Sequence, residues 1–138
     1  MDWNRLTREG NTRFRAGCFA EAIALYETAV DVVRERTKRE PLTTPMLMAR
    51  IVSHHNLATA LQRLGRLEDA ASQYEAAHAF VRGVAADPAQ PPALRASAQA
   101  HCAVTFTEWQ AFRREQGLDE ADPPSPREVW RPALRLVH

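Results

Sequence analysis

The sequence predicts an all-α fold in which antiparallel helices pair as hairpins, and three observations support that prediction. Apolar residues recur every three or four positions along several long segments, which is the pattern of an amphipathic helix. Gly17 and Gly65 each separate two such segments, and glycine tolerates the positive φ at which helices commonly end. Stretches around Pro41 and Pro88 separate the others, because proline cannot continue a helix. Each of these glycines therefore marks a turn within a hairpin, and each proline stretch marks a linker.

The first hairpin is expected over about residues 2–40. Its first helix is predicted over residues 3–15 with Asp2 as the N-cap, and its second helix is predicted to continue until Pro41 stops it. Gly10 is predicted to lie where the two helices approach closely. The apolar stripe of the second helix consists of Phe19, Ala22, Ile23, Tyr26, Ala29, Val30 and Val33.

The second hairpin is expected over about residues 45–86, after a linker in which Thr43 or Thr44 caps the third helix. The third helix is predicted to extend to Leu64, and the fourth is predicted to end before Asp87. Their predicted core residues are Leu47, Ile51, Leu57, Ala58, Leu61 and Leu64 on the third helix, and Leu67, Ala70, Tyr74, Ala77, Phe80 and Val81 on the fourth.

A long fifth helix is expected over about residues 92–116, with an apolar stripe made of Ala98, Cys102, Phe106 and Trp109. Because it has no internal glycine turn, we expect it to cap the stack of hairpins. These helices form one domain over residues 1–117. Residues 118–138 are expected to form an acidic, proline-rich linker, a short C-terminal helix and a tail, in which Trp130 either folds back onto its own chain or binds another chain.

The composition of the 138-residue chain argues against several classes of function. A formal net charge of +1 provides no field that would attract nucleic acid or an anionic membrane. No apolar run approaches the length that spans a membrane, and the N-terminal residues lack the apolar region of a signal peptide. Cys18 and Cys102 lack the spacing of a metal site and suit a reducing compartment. We therefore expect a cytoplasmic protein with no nucleic-acid or membrane partner.

Two segments resemble the tetratricopeptide repeat, GNTRFRAGCFAEAI at residues 10–23 and NLATALQRLGRLEDA at residues 56–70. Both contain a helix, a glycine turn, and an acidic residue followed by alanine at the start of the next helix. The run VSHHNLA, at residues 52–58, is similar to a small uncharacterised family of proteobacterial repeat proteins. The resemblance implies a tetratricopeptide-type, right-handed superhelix of helical hairpins with a concave groove. Gly17 and Gly65 are 48 positions apart, rather than about 34, which implies extended helices.

The resemblance also implies that the first helix of each hairpin lines this groove. By register, the residues expected to bind a partner there are Arg8, Asn11, His55, Asn56, Thr59, Gln62 and Arg63. Some members of the repeat family bind peptide C-termini through a clamp of lysine, asparagine and arginine side chains. Asn11 and Asn56 match its two asparagines, whereas Thr7 stands at its first lysine position. Arg8 and Arg63 are alternative partners for a carboxylate.

The sequence contains no pattern that indicates an enzyme. It lacks a glycine-rich phosphate loop and a nucleophile elbow, so we expect neither catalysis nor a cofactor. His54 and His55, with His101 as a third ligand, suggest a metal site, but neighbouring helical residues point about 100° apart and rarely share one ion. We expect His54 to be a hydrogen-bonded core residue and His55 to face the groove.

Together these features favour a non-enzymatic protein-interaction module, of the adaptor or co-chaperone kind, that holds a peptide or protein segment in its groove. Two alternatives remain from the sequence. One is a homo-oligomeric structural module, for instance a homodimer, and the other is a sensor of a metal or small ligand built around the histidines.

Overall fold

The computed structural model describes residues 2–118, which form five α-helices and contain no β-strand. The helices are α1 (Trp3–Arg15), α2 (Phe19–Arg39), α3 (Thr44–Arg63), α4 (Leu67–Ala86) and α5 (Pro92–Glu115). The predicted all-α class and the five predicted helices are confirmed. The expected C-terminal helix and the location of Trp130 lie outside the described residues. Among the described helices, none is both long and apolar enough to cross a membrane.

Local side chains set the starts of α1 and α3. Asp2 Oδ1 accepts a hydrogen bond from the backbone N–H of Asn4 at 3.2 Å, and Thr43 Oγ1 accepts one from that of Met46 at 3.3 Å. Each bond satisfies a backbone donor that has no partner inside its own helix. Of the two threonines predicted as caps, Thr43 is the one used. Pro45 then lies in the first turn, where no backbone N–H is required.

Three turns at one end of the molecule share one backbone geometry, and we call this end the glycine end. Gly17, Gly65 and Gly117 have φ values of 80°, 75° and 71°. In each turn the residue after the glycine donates to the carbonyl five positions earlier, as the Cys18 N–H does to Arg13 O at 2.9 Å. These bonds satisfy carbonyls that a helix end leaves without partners. After the first two turns the chain reverses, so that α2 and α4 run antiparallel to the helices before them.

The opposite end of the molecule carries longer linkers, and we call it the proline end. Residues 40–43 join α2 to α3 and residues 87–91 join α4 to α5, and each linker contains proline. Helices α1, α3 and α5 therefore begin at the proline end and finish at the glycine end. There the last turn of α5 lies beside the start of α4, with Arg113 Nη1 3.7 Å from Glu68 Oε1.

Each helix packs against the next one in the chain, and α3 also contacts α5. The buried apolar residues form two clusters along the helix axes. The first, toward the glycine end, consists of Ala22, Ile23, Tyr26, Val30, Leu57, Ala58, Ala60, Leu61, Ala70, Ala71 and Phe112. The second, toward the proline end, consists of Leu47, Ile51, Val81, Val84, Leu94 and Ala98. On α3, His54 lies between Ile51 of the second cluster and Leu57 of the first.

Gly10 is buried where α1 crosses α2, as predicted. A Cβ atom at this position would lie 2.5 Å from Tyr26 Cε1, which is far shorter than a van der Waals contact. The phenol ring therefore occupies the space that a side chain at position 10 would need. Glycine permits this close approach, although it weakens the helix that contains it.

The predicted core is wrong at one helix in particular, α5. Its buried residues are Leu94, Ala98, Thr105 and Phe112, whereas Cys102, Phe106 and Trp109 are only partly buried. Steps of four residues advance the side-chain direction by about 400°. The predicted stripe therefore winds away from α4, while steps of seven stay close to one line. Leu64 was also expected in the core, and it is 46% exposed because it is the C-cap residue of α3.

Candidate functional site

Contacts between α1 and α3 and between α3 and α5 join these helices into one surface, which we call the α1–α3–α5 face. The guanidinium carbon of Arg63 on α3 lies 5.1 Å from the ring centre of Phe14 on α1. His55 Nε2 on α3 lies 3.5 Å from Glu108 Oε1 on α5. All seven residues predicted to bind a partner belong to α1 or α3. The structure thus places them on two of the three helices that form this face.

His55 carries the most unusual polar atom of the face. Its side chain is 28% exposed, and its Nε2 atom approaches Glu108 Oε1 to 3.5 Å. That distance allows an ion pair if the imidazole is protonated, but the geometry is not that of a hydrogen bond. Nε2 itself is inaccessible and has no hydrogen-bond partner among the described residues. Buried nitrogens almost always have a hydrogen-bond partner, so an unpartnered Nε2 is unusual, and a group from outside the chain reaches it only if the surrounding side chains move.

Aromatic rings form the wall beside His55. The ring centre of Tyr74 lies 5.5 Å from that of His55, and the ring centre of Phe112 lies 4.9 Å from that of Tyr74. Burial raises the pKa of Tyr74, and the carboxylates of Glu108 and Glu115 raise it further. The phenol therefore stays protonated at neutral pH and keeps its O–H as a hydrogen-bond donor.

Asn11 is held by α2 rather than by a helix terminus. Its Oδ1 accepts a hydrogen bond from the Tyr26 hydroxyl at 2.6 Å. Burial raises the pKa of Tyr26, although the nearby Arg15 opposes that shift, so the phenol remains a donor at neutral pH. The oxygen of the Asn11 amide is thus engaged within the protein. Its nitrogen donates no hydrogen bond to the described residues and is available to a partner.

Thr59 and Arg63 also have intramolecular contacts. Thr59 Oγ1 donates to the carbonyl of His55, one turn earlier, at 2.9 Å. The guanidinium carbon of Arg63 lies 5.1 Å and 5.5 Å from the ring centres of Phe14 and Phe19. A cation over aromatic rings stabilises the contact between α3 and the first hairpin. Arg63 therefore has a packing role at the glycine end in addition to any role in binding.

The remaining three predicted residues are uncommitted. Within residues 2–118, the side chains of Arg8, Asn56 and Gln62 form no hydrogen bond or ion pair. Arg8 and Gln62 are exposed, and Asn56 is partly exposed. Two amides and one guanidinium are therefore free to contact another molecule from this face.

His54, beside His55 in the sequence, has a different environment. It is fully buried, and its Nδ1–H donates to Gln73 Oε1 at 2.8 Å while Nε2 accepts from Arg50 Nε at 3.1 Å. Burial lowers its pKa to about 4, and the charges of Arg50 and Arg34 act in the same direction. The expectation of a hydrogen-bonded core imidazole is confirmed. Sequence reasoning missed Arg50, although its spacing of four from His54 on one helix was a usable signal.

His101, the third histidine of the predicted metal set, forms its hydrogen bond within its own helix rather than with His54 or His55. His101 Nδ1 donates to the Ser97 carbonyl at 2.9 Å on its own helix. In the part of the chain that the structure describes, no group of three or more histidine, cysteine, aspartate or glutamate side chains is placed to hold a metal ion. Glu108, which does approach His55, was not singled out from the sequence because nothing in its local pattern distinguishes it from a solvated helix residue.

The fold and this polar face define an all-α protein whose successive helices stack and present uncommitted amide and guanidinium groups. A family model described as "Protein of unknown function (DUF2753)" matches residues 1–122, and the chain belongs to that family. No curated protein matches the chain. No solved structure matches it either.

The resemblance to tetratricopeptide repeats is wrong, and so is the related likeness drawn from the run at residues 52–58. The family shown is DUF2753, and no tetratricopeptide model matches. The features that suggested the resemblance are requirements of helical hairpins in general. Gly10 permits a close crossing, Gly17 and Gly65 adopt positive φ, and acidic residues complement the dipole at a helix start.

Proposed function

We propose that this protein is a non-enzymatic interaction module that binds a peptide or protein segment along the α1–α3–α5 face. The observation that carries the proposal is the pair of uncommitted amides on α3 beside His55, since Asn56 follows His55 directly and Gln62 lies about two turns further along the helix. Neither amide has a hydrogen-bond partner among the described residues. A binding partner would use these free groups.

The chemistry of the face suits an extended or helical peptide. A side-chain amide presents one acceptor and two donors, so Asn56 and Gln62 match the C=O and N–H groups of a backbone. Arg8 supplies a charge-assisted bond to an acidic side chain or a terminal carboxylate. Tyr74, which is partly buried, provides an aromatic surface next to His55. Such aromatic anchors commonly contribute much of the binding free energy at protein interfaces.

We further infer that the five helices stack as a short superhelical array, with α5 capping the last hairpin. The contact pattern supports this inference, since each helix packs mainly against its neighbours in the chain. In such arrays equivalent helices of successive hairpins form one extended surface, which suits a linear ligand.

The proposal is tested by affinity capture from the native organism's lysate, quantified by mass spectrometry. The bait variant is Asn56→Ala/Gln62→Ala, because neither side chain forms a hydrogen bond or ion pair with the rest of the described chain. Replacing Arg63 would confuse binding with stability, since its guanidinium stacks on Phe14 and Phe19. We expect the double variant to bind its partner about tenfold more weakly, from the loss of two hydrogen bonds at roughly 0.5–1.5 kcal/mol each.

Gln99→Ala is the matched control, because it removes one exposed amide from α5. Gln99 lies nine residues before Glu108, which places it on the opposite side of that helix. A partner captured equally by the wild type and by Asn56→Ala/Gln62→Ala would contradict the assignment of the face. Sedimentation of the purified chain then separates the alternative of a homo-oligomer from that of an external partner.

A further inference from the structure

A cleft with a volume of about 760 Å³ opens at the proline end. It lies between the last turns of α2 and α4 and the two linkers that follow them. Its apolar walls are Pro41, Leu42, Phe80, Val84 and Pro91. A cleft of this size is comparable with the sites at which proteins hold small ligands or a few side chains of a peptide. It shares no lining residue with the α1–α3–α5 face.

The presence of Gly83 in this cleft calls for an explanation. Three of the five glycines adopt a positive φ, and Gly10 lies against Tyr26. Gly83 lies inside α4, has no positive φ, and a Cβ atom at its position would meet nothing within 4 Å. Glycine inside a helix is less stable than alanine, so neither the backbone nor the packing explains this residue. Its effect in the structure is to leave the cleft open.

The cleft favours an apolar ligand that carries positive charge. Its lining contains two carboxylates, Glu40 and Asp87, and no basic side chain. Glu40 is paired within the chain, since Arg36 Nε donates to its Oε2 at 3.3 Å, whereas Asp87 has no ion-pair partner among the described residues. The Arg50 guanidinium carbon lies 4.2 Å from the ring centre of the lining residue Phe80.

The turn that ends α5 has the geometry that reverses the chain elsewhere in the molecule. The turn at Gly117 repeats those at Gly17 and Gly65, with a φ of 71° and a bond from the Leu118 N–H to Arg113 O of 2.7 Å. Both earlier turns send the chain back antiparallel to the preceding helix. Helix α5 has 24 residues, and a helix of that size is about 36 Å long. An extended chain covers that distance in about 11 residues, so the sequence is long enough for positions from about 129 onward to be within reach of the cleft.

We propose that the C-terminal segment 129–137 of this chain binds in the cleft. Its residues include the apolar Val129, Trp130, Leu134, Leu136 and Val137. Arg131 and Arg135 lie among them and are opposite in charge to Glu40 and Asp87. The intervening residues 119–128 contain three prolines, which disfavour a helix and suit an extended connection. The cleft lining thus suits a basic, apolar peptide, and residues 129–137 of the same chain have that composition.

Hydrogen–deuterium exchange of the full-length chain tests this proposal with Gly83→Leu, which fills the cleft. The space around the Cβ position and the absence of a positive φ allow that substitution without strain. We expect the amides of residues 130–137 to exchange at least about tenfold faster in Gly83→Leu than in the wild type. Gly83→Ala is the matched control, because one methyl group leaves most of the cleft open, and the slow exchange should persist.

A second variant keeps the test valid if Gly83→Leu disturbs the fold. Arg131→Glu/Arg135→Glu changes only the segment, and we expect faster exchange in the linkers at residues 40–43 and 87–91. Equal exchange of residues 130–137 in the wild type and in a folded Gly83→Leu variant would overturn the proposal. So would slow exchange that disappears on dilution, because the segment would then come from another copy of the chain. Neither experiment involves the α1–α3–α5 face.

Discussion

The glycine end and the proline end connect the same stack of helices in opposite ways. At the glycine end the backbone makes each turn itself, through a positive-φ glycine and a hydrogen bond to the carbonyl five residues earlier. At the proline end, linkers 40–43 and 87–91 leave a cleft of about 760 Å³ between them. Backbone hydrogen bonds fix the first end, whereas the second keeps space next to an unexplained glycine. One end therefore sets the geometry of the stack, and the other is free to bind.

The buried residues at the two ends also differ in size. Alanine supplies nearly half of the cluster toward the glycine end, whereas the cluster toward the proline end consists of leucine, isoleucine and valine with a single alanine. Small residues let helix axes approach closely, and branched residues fill a wider space. We therefore expect the helix axes to lie closer together at the glycine end, where the turns are shortest.

The largest expected effect is a loss of stability at acid pH, because His54 is buried where the two clusters meet. Its pKa in the folded chain is about 4, against 6.5 for an ordinary histidine. The unfolded chain therefore takes up the proton first as the pH falls. The stabilisation by neutral His54 is complete above about pH 6.5 and is lost between about pH 6.5 and pH 4. The shift corresponds to about 3 kcal/mol in the free energy of unfolding.

Urea denaturation at a series of pH values between 7 and 4 measures this loss. His78 contributes with the same sign, because burial also lowers its pKa. The comparison is therefore with His54→Gln, in which the dependence on pH should be markedly weaker than in the wild type, whatever its absolute stability. An identical slope in both proteins would show that the pKa of His54 is not lowered in the folded chain.

The second effect compares the same substitution at two helical glycines. Gly10→Ala should lower the free energy of unfolding by about 2 kcal/mol, because overpacking a filled site typically costs 1–3 kcal/mol. The new methyl group would lie 2.5 Å from Tyr26 Cε1. Chemical denaturation followed by circular dichroism gives this value. If Gly10→Ala has no effect, α1 and α2 are less closely packed than the structure shows.

The smallest effect has the opposite sign and concerns the proline end. Gly83→Ala should raise the free energy of unfolding by about 0.5–1 kcal/mol, because alanine favours the helix and restricts the unfolded chain. The position has no neighbour within 4 Å of the new Cβ atom. The same denaturation experiment applies. A loss of stability at position 83 would mean that the cleft is closed by part of the chain that Gly83 contacts.

The helix bounds could be predicted from the sequence because local signals determine them. Asp2 and Thr43 cap α1 and α3, Gly17 and Gly65 end α1 and α3, and Pro41 stops α2. Each signal acts within one turn of helix and requires no knowledge of the tertiary fold. The position of the fifth helix was predicted for the same reason.

The orientation of side chains on α5, by contrast, could not be read from local pattern. Thr105 is buried because His78 Nδ1 approaches its hydroxyl to 3.0 Å, a partner that lies 27 positions away. Phe106 and Trp109 are large and apolar, so the sequence favoured them for the core, yet they lie at its margin. The pairing of His55 with Glu108 joins residues that are even further apart in the sequence. Contacts between helices decide which side chains of α5 are buried, and those contacts cannot be read from a single sequence.

The hydrogen bonds of His54 also determine how the two adjacent histidines react. Reagents that acylate imidazole attack its unprotonated nitrogen, and in His54 that lone pair faces the Arg50 N–H inside a fully buried site. His55, next in the chain, remains partly exposed, and since its Nε2 is enclosed, its Nδ1 is the atom that such a reagent would reach. Modification of His55 therefore reports on the folded protein, whereas modification of His54 requires α3 to separate from α4. Both residues fall in the segment between Arg50 and Arg63. Cleavage after these arginines therefore gives one peptide in which modification of His55 reports the folded surface and modification of His54 reports the separation of α3 from α4.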